Sequence, residues 1–289
     1  RSSAASDVYK RQALMPLILF PLLSVEEIAV ISREYMNKVQ FLFAGGFIIA
    51  LAIQKWNLHK RVALNILKFS GLNSRGIVAS FMVASAVLSM WVMNTSTAIM
   101  LLPVGISVIK VISDTVNDIS DNQKFNFQLC LLLGIAYAAS VGGIATPIGT
   151  SPNGVLIQFA SNNYDYDIGF ANWISIGLPI TLGLGPLIWI FLTRIIFPVN
   201  FSATQESKEK LNSMLKELGP MSNEEKKVIV VFLITAFFWI FRQLIDNLPG
   251  LSLLDDSVIA ITGAVSLFFI NENNKKNKLL ICCLLYTSP

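Results

Sequence analysis

Two clusters of small polar residues stand inside apolar surroundings. The first is Ser85, Ser89, Asn94, Thr95, Ser96 and Thr97, closed by Pro103; the second is the run from Ser140 to Gly154, SVGGIATPIGTSPNG. Glycine and proline at that density break a helix, and the polar residues of the first cluster mark the tip of a helical hairpin. Non-helical backbone at membrane depth is tolerated only when it is buried in protein or lines a cavity, so two breaks close in sequence point to one shared site. Neither cluster contains Lys or Arg. An anion there has to be held by helix N-termini, whose free N–H groups and positive dipole end favour negative charge, together with hydroxyl and amide donors. Unwound carbonyls and the C-terminal ends of half-helices do the opposite and offer oxygens to a hard cation such as sodium. A cation bound beside the tip offsets the charge of a bound dianion, which is a physical reason for coupling the two. Tight packing of small residues between helices is the plainer account of such clusters; it suits either one alone better than both together.

The elements that carry these clusters are long and apolar. The 289 residues are 54% hydrophobic and 14% charged, against about 25% charged in ordinary soluble domains. No charge occurs between Arg75 and Lys110, between Lys124 and Asp165, or between Asp167 and Arg194, and each interval is long enough for a span of about 20 residues. Shorter runs at Phe41–Ile53, Val228–Phe241 and Val258–Ile270 suit spans whose ends dip into the interface, and Ala13–Val25 reads as the remainder of another. The expected class is all-α, a polytopic membrane protein.

Both ends read as foreign to this pattern. Ser2–Gln12 and Cys283–Pro289 match translated sequencing-library adaptor, so residues 1–12 and 282–289 are set aside, with Cys282 at the junction, and the natural protein is expected to be longer. Removing Arg1, Lys10, Arg11 and Asp7 lowers the net charge from +4 to +2. No strongly basic face survives, which argues against nucleic acid as a partner. Cys130 is then the one securely native cysteine and reads as a small buried hydrophobe, so no disulfide framework exists.

If Phe41–Ile53 runs inward, Lys55, Lys60, Arg61, Lys68, Arg75, Lys110, Lys124, Arg194, Lys208, Lys210, Lys216, Lys226, Lys227, Lys275, Lys276 and Lys278 share one side, leaving only Arg33, Lys38 and Arg242 opposite. The positive-inside rule makes the first side the cytoplasm. Arg75 and Lys110 must then lie together, which makes Gly76–Ile109 a re-entrant hairpin or two full spans joined by a tight turn. The loops Ser161–Phe170 and Asp246–Ser257, with Asp165, Asp167, Asp246, Asp255 and Asp256, fall outside. Leu58, Val62, Ile66 and Phe69 recur at helical spacing, with Lys60, Arg61 and Lys68 off that stripe, as in an interfacial helix; His59 beside Lys60 reads as solvated or facing headgroups. Ser202–Lys227 reads as a cytoplasmic connecting helix and Asn271–Lys278 as a polar loop.

At these residues the chain resembles the divalent anion/sodium symporter family, whose members carry dicarboxylates, citrate and sulfate. The run Ser89-Met90-Trp91-Val92-Met93-Asn94-Thr95-Ser96-Thr97-Ala98, followed by Leu101-Leu102-Pro103, is similar to the family's Ser-Asn-Thr hairpin signature. Gly142 to Asn153 is similar to its unwound Gly-Thr-Pro-Pro-Asn segment, and Phe41–Trp56 and Gly177–Phe197 also fit. The resemblance implies that Ser89, Met93, Asn94 and Gly149 surround a sodium ion, partly through carbonyls, and that Asn94, Thr95 and Thr150 touch the substrate carboxylate. Met93 stands where the family usually has Ser, and Ser151 where it usually has the first Pro. It further implies a second inverted repeat with another Asn-Thr tip, a homodimer when full length, a multi-pass place in the cytoplasmic membrane, and sodium as the co-transported ion. Asn-Thr occurs once here, so the chain is expected to hold half of the binding site. Its expected organisation is scaffold spans and interfacial helix over 13–70, the transport part over 71–200, and a connector with further scaffold spans over 201–281.

Other transporter types sharing the hairpin stay in view: an anion exchanger, a sodium/proton antiporter or an arsenite-type carrier. An antiporter calls for an ionisable residue in the broken segments, and none is present there. A membrane-embedded hydrolase built on Ser89 or Ser151 needs a base within reach, and the one histidine, His59, lies on the interfacial segment.

Overall fold

A computed structural model describes residues 2–68, 71, 73–116, 120–245 and 254–270. Within them the regular elements are helices, and the one β contact is an isolated bridge between Asn73 and Ser202. In chain order they are α1 (Ser2–Leu22), α2 (Ile28–Tyr35), α3 (Lys38–Lys55), α4 (Leu58–Leu67), α5 (Ser74–Ser89), α6 (Asn94–Thr115), α7 (Asp121–Gly142), α8 (Ser151–Tyr164), α9 (Phe170–Ile190), α10 (Gln205–Glu217), α11 (Asn223–Ile245) and α12 (Asp256–Phe269). A single 3₁₀ turn, Gly143–Ala145, follows α7, and α9 widens into a π turn over Phe191–Ile196.

Several helices start where a side chain replaces the missing helical acceptor. Asn37 Oδ1 accepts from Val39 N at 2.9 Å at the start of α3, and Asn73 Oδ1 accepts from Arg75 N at 3.1 Å at the start of α5. Thr204 and Ser207 form a reciprocal capping box on α10. The segments Ile28–Lys55, Asn94–Thr115, Asp121–Ala145 and Phe170–Ile196 are long and apolar enough to cross a membrane, while Ser74–Ser89 and Asp256–Phe269 are apolar but shorter.

Two of the apolar cores bear on the site. One gathers Ile77, Val78, Phe81 and Leu88 of α5, Leu101, Val104, Val108 and Ile112 of α6, and Phe127, Cys130, Leu131 and Ile135 of α7, with Leu64 and Leu67 of α4 beneath them. The other joins α3, α11 and α12 through Val39, Leu42, Trp239, Ile259 and Ala260, and takes in Ile148 and Ile157 from around α8. Cys130 is fully buried, as a small hydrophobe should be, with its Sγ 3.2 Å from both Leu192 O and Phe197 O.

The helix α4 departs from expectation. Its buried face is Leu58, His59, Ala63, Leu64 and Leu67, whereas Val62 and Ile66 are half-buried; Phe69 lies outside the described residues. The helix packs against α3, α5 and α6, and the covered face turns by about one residue. His59 is therefore 4% exposed, not solvated. Desolvation lowers its pKa, with Lys60 adding to that and a hydrogen bond to the backbone of Ile53 opposing it, and its Nδ1 has no partner. Arg61 also leaves solvent: it pairs with Glu225 at 3.1 Å and donates to the carbonyls of Leu218 and Gly219 at 3.3 and 3.1 Å.

Charged residues assigned by sequence to one side meet at one end of the molecule. Lys38 pairs with Asp167 at 2.7 Å, Arg242 with Asp256 at 3.2 Å, and Ser257 Oγ donates to Lys38 O at 2.7 Å. Elsewhere, Arg75 Nε donates to Val199 O at 2.8 Å and Asn126 Nδ2 to Pro198 O at 3.1 Å, beside the bridge to Ser202. Asp246, the polar loop 271–278 with its lysines, and Cys282 lie outside the described residues.

Candidate functional site

The helices α5 and α6 are joined by the four-residue turn 90–93 and pack on each other and on α7. At about 1.5 Å per residue, the 16 residues of α5 rise about 24 Å and the 22 residues of α6 about 33 Å. The second interruption is also present: α7 stops at Gly142, Thr146 and Thr150 are extended, and α8 begins at Ser151.

The two interruptions meet. Ser89, the last residue of α5, has its Oγ 2.7 Å from Asn94 Oδ1, the first residue of α6. A Cβ added at Gly143 would strike that amide, and one added at Gly149 would lie 2.5 Å from Gly143 O and 2.9 Å from Ser89 O. Only glycine allows this approach of backbone to backbone. With its amide turned the other way, Asn94 Nδ2 stands 2.7 Å from Ser89 Oγ, 3.1 Å from Ala139 O and 3.2 Å from Gly149 O. The amide is thus ringed by oxygens from the ends of α5 and α7 and from Gly149, two residues before α8. The N-terminus of α6, capped by Met93, and that of α8, capped by Thr150, bound the same place, and neither N-cap side chain bonds to its own helix.

Of the residues singled out from sequence, Ser89, Asn94 and Gly149 come together, and Ser89 and Gly149 are buried. Met93 sits at the N-cap of α6 with its side chain 39% exposed, and its carbonyl accepts from Thr97 N at 2.9 Å. Thr95 is exposed in the first turn of α6, and Thr150 is half-buried where α8 begins.

A broken helix leaves carbonyls without helical partners, and here side chains take several of them. Asn153 Nδ2 donates to both Gly143 O and Thr146 O at 2.8 Å, Trp173 Nε1 to Ile144 O at 2.8 Å, and Thr181 Oγ1 to Val141 O at 2.9 Å. Thr146 Oγ1 donates to Met90 O and so ties the break to the hairpin turn. In that turn Trp91 stacks on Phe170 at 6.1 Å and meets Phe232 edge-on at 4.8 Å, while Phe170 stacks on Trp239 at 4.6 Å. Sequence reasoning missed Trp173 and Thr181, which stand 20 or more residues downstream on α9 and carry no local signal; Asn153 was visible as the next-to-last residue of the glycine-proline run.

The model of the citrate transporter family matches residues 12–280. The sodium-dependent dicarboxylate transporter SdcS of Staphylococcus saprophyticus is 37% identical over 272 residues, which cover 93% of this chain and 52% of the relative. The protein of the same name from Staphylococcus aureus strain USA300 is 35% identical over 273 residues, with the same shares covered. The chain spans about half the length of the curated relatives it matches.

Proposed function

The chain belongs to the citrate transporter family, a family of multi-pass membrane transporters and not of enzymes, and from that premise we propose that it forms the first-repeat half of a secondary transporter that moves a dicarboxylate or related divalent anion coupled to sodium. The observation that carries this reading is the ring of oxygens around the Asn94 amide. Nitrogen inward, the amide donates to Ser89 Oγ, Ala139 O and Gly149 O; oxygen inward, it accepts from Ser89 Oγ but faces Ala139 O and Gly149 O as a further acceptor, an arrangement that a cation among these oxygens would satisfy. Turned oxygen inward, the amide would add one more ligand for a hard cation held by the same oxygens. Sodium suits such a set of neutral oxygens, and both relatives are named as sodium-dependent dicarboxylate transporters.

The anion belongs beside the cation, at the N-termini of α6 and α8. Asn94, Thr95 and Thr150 lie at these two helix starts, where free N–H groups and the positive dipole ends favour a carboxylate. Because no Lys or Arg occurs from Gly76 to Ile109 or from Phe125 to Tyr164, the dianion depends on bound sodium for part of its charge compensation. That dependence is the coupling. The hairpin of α5 and α6 is read as re-entrant, part of a transport unit over 71–200 that moves against scaffold helices over 13–70 and 201–281, with the matching half of the site on a second, inverted repeat.

Uptake of labelled succinate, citrate and sulfate by proteoliposomes containing the transporter completed by its second repeat tests the proposal. Uptake that rises with an inward sodium gradient and is competed by dicarboxylates is expected. Uptake driven equally well by a proton gradient with sodium absent, or indifferent to every divalent anion, overturns it.

A further inference from the structure

Asn153 has no part in the ligand sets above, yet it is 7% exposed and spends both amide N–H bonds on the break. Its two acceptors, Gly143 O and Thr146 O, belong to the first residue of the 3₁₀ turn and to the residue that follows it, each 2.8 Å from Nδ2. Gly143 is also the residue whose Cα faces the Asn94 amide and whose carbonyl lies closest to a Cβ built on Gly149. Thr146, the second acceptor, is tied by its hydroxyl to Met90 O in the hairpin turn. One amide in the first turn of α8 therefore holds the end of α7, the extended segment and, through Thr146, the hairpin in one arrangement.

Resting on the cation-site reading above, we propose that Asn153 is a positioning residue for sodium: it contacts neither ion nor anion, and sets the spacing of Gly143, Gly149 and Asn94 by fixing the backbone between the two half-helices. Backbone oxygens bind a hard cation well only when several converge at once, so a loop free to move loses affinity without losing any ligand. The rest of α8 does not substitute for this anchor. Its buried Ile157 and Gly154 pack toward Val39 and Phe43 of α3.

The test uses the purified chain in detergent, unfolded by heat at a series of sodium chloride concentrations with choline chloride keeping ionic strength constant. In Asn153→Ala, sodium-specific stabilisation should persist, with its half-effect concentration raised about tenfold, the loss expected for about one neutral hydrogen bond's worth of ordering. Asn153→Asp keeps the shape but turns acceptors toward two carbonyls, so it should weaken the sodium response more than Ala does. In the completed transporter, both variants should raise the sodium requirement, while KM for succinate at saturating sodium stays within about twofold. An unchanged sodium response in Asn153→Ala, accompanied only by an equal loss of stability in both salts, reduces the residue to a structural brace and overturns the proposal. Tighter sodium binding in Asn153→Asp also overturns it, because a carboxylate helps only if it faces the ion. If Asn153→Ala does not fold, Asn153→Asp decides by the sign of its sodium effect. A wild-type chain indifferent to sodium defeats the cation-site reading itself and this inference with it, an outcome distinct from the variant results.

Discussion

Gly149→Ala adds one carbon where the structure has no room for it. The new Cβ would lie 2.5 Å from Gly143 O, 2.8 Å from Gly143 Cα and 2.9 Å from Ser89 O. Carbon and carbonyl oxygen approach no closer than about 3.3 Å even in favourable C–H···O contacts, so Gly143 O must retreat by about 0.8 Å. All three neighbours are backbone, which cannot rotate away. Overpacking of this kind costs about 1–3 kcal/mol; placed wholly on the sodium-bound state, it weakens sodium binding about 5- to 150-fold. Thermal unfolding of the purified chain in sodium against choline chloride reads this directly. At a sodium concentration 100 times the wild-type Kd, the ion adds about 2.7 kcal/mol to stability, and a hundredfold weakening leaves about 0.4 kcal/mol. Gly183→Ala is the matched control: on α9 the added carbon meets nothing within 4 Å, and a helical Gly→Ala change is expected to stabilise by about 0.4–1 kcal/mol. A Gly149→Ala protein with the wild-type sodium response, or a Gly183→Ala protein damaged to the same degree, refutes the reasoning.

Asn94→Ala removes the amide at the centre of the oxygen ring; at about 1.5–3 kcal/mol for a contact to a charge, sodium-specific stabilisation should weaken about 10- to 150-fold, and dicarboxylate uptake by the completed transporter should fall with it. Met93→Ser leaves the Met93 carbonyl in place and exchanges a side chain that is 39% exposed, so the sodium requirement should not change, while one hydroxyl near the α6 N-terminus improves apparent affinity for a dianion by up to about tenfold. Single cysteines at 75 and 110, in a background without other cysteines, should react with impermeant reagents only from the cytoplasmic side and a cysteine at 167 only from outside; labelling of 75 or 110 from outside counts against the hairpin. Arg61→Ala strands Glu225, whose side chain is 9% exposed, and should cost about 3–5 kcal/mol in thermal stability in both salts, with most of it regained in a double variant that also carries Glu225→Gln.

What could be read from the sequence was what depends on polarity and local spacing. Uncharged stretches and lysine distribution reflect a solvent that admits no free charge, so the apolar spans follow from composition along the chain, and Lys38 and Asp167, placed on one side by that reading, pair. The clusters at Ser89–Thr97 and Gly142–Asn153 stood out for the same reason, since polar groups in an apolar stretch need partners, and the structure supplies those partners by bringing the clusters to each other. What could not be read depends on which helix covers which face. The α4 stripe was misjudged by one residue because an apolar position covered by lipid and one covered by protein look alike, and the error put His59 in solvent or among headgroups when it is buried. The carbonyls of the break posed the question of their partners, but Trp173 and Thr181 could be named only after α9 was placed beside α7. The site divides along the same line. The residues that offer a ligand its atoms sit in the two clusters and announce themselves by chemistry, whereas the residues that hold those atoms in place are ordinary helix positions elsewhere. Asn153 belongs to the first group by location and to the second by its bonds, which is why its role emerges from the structure and not from the motif that contains it.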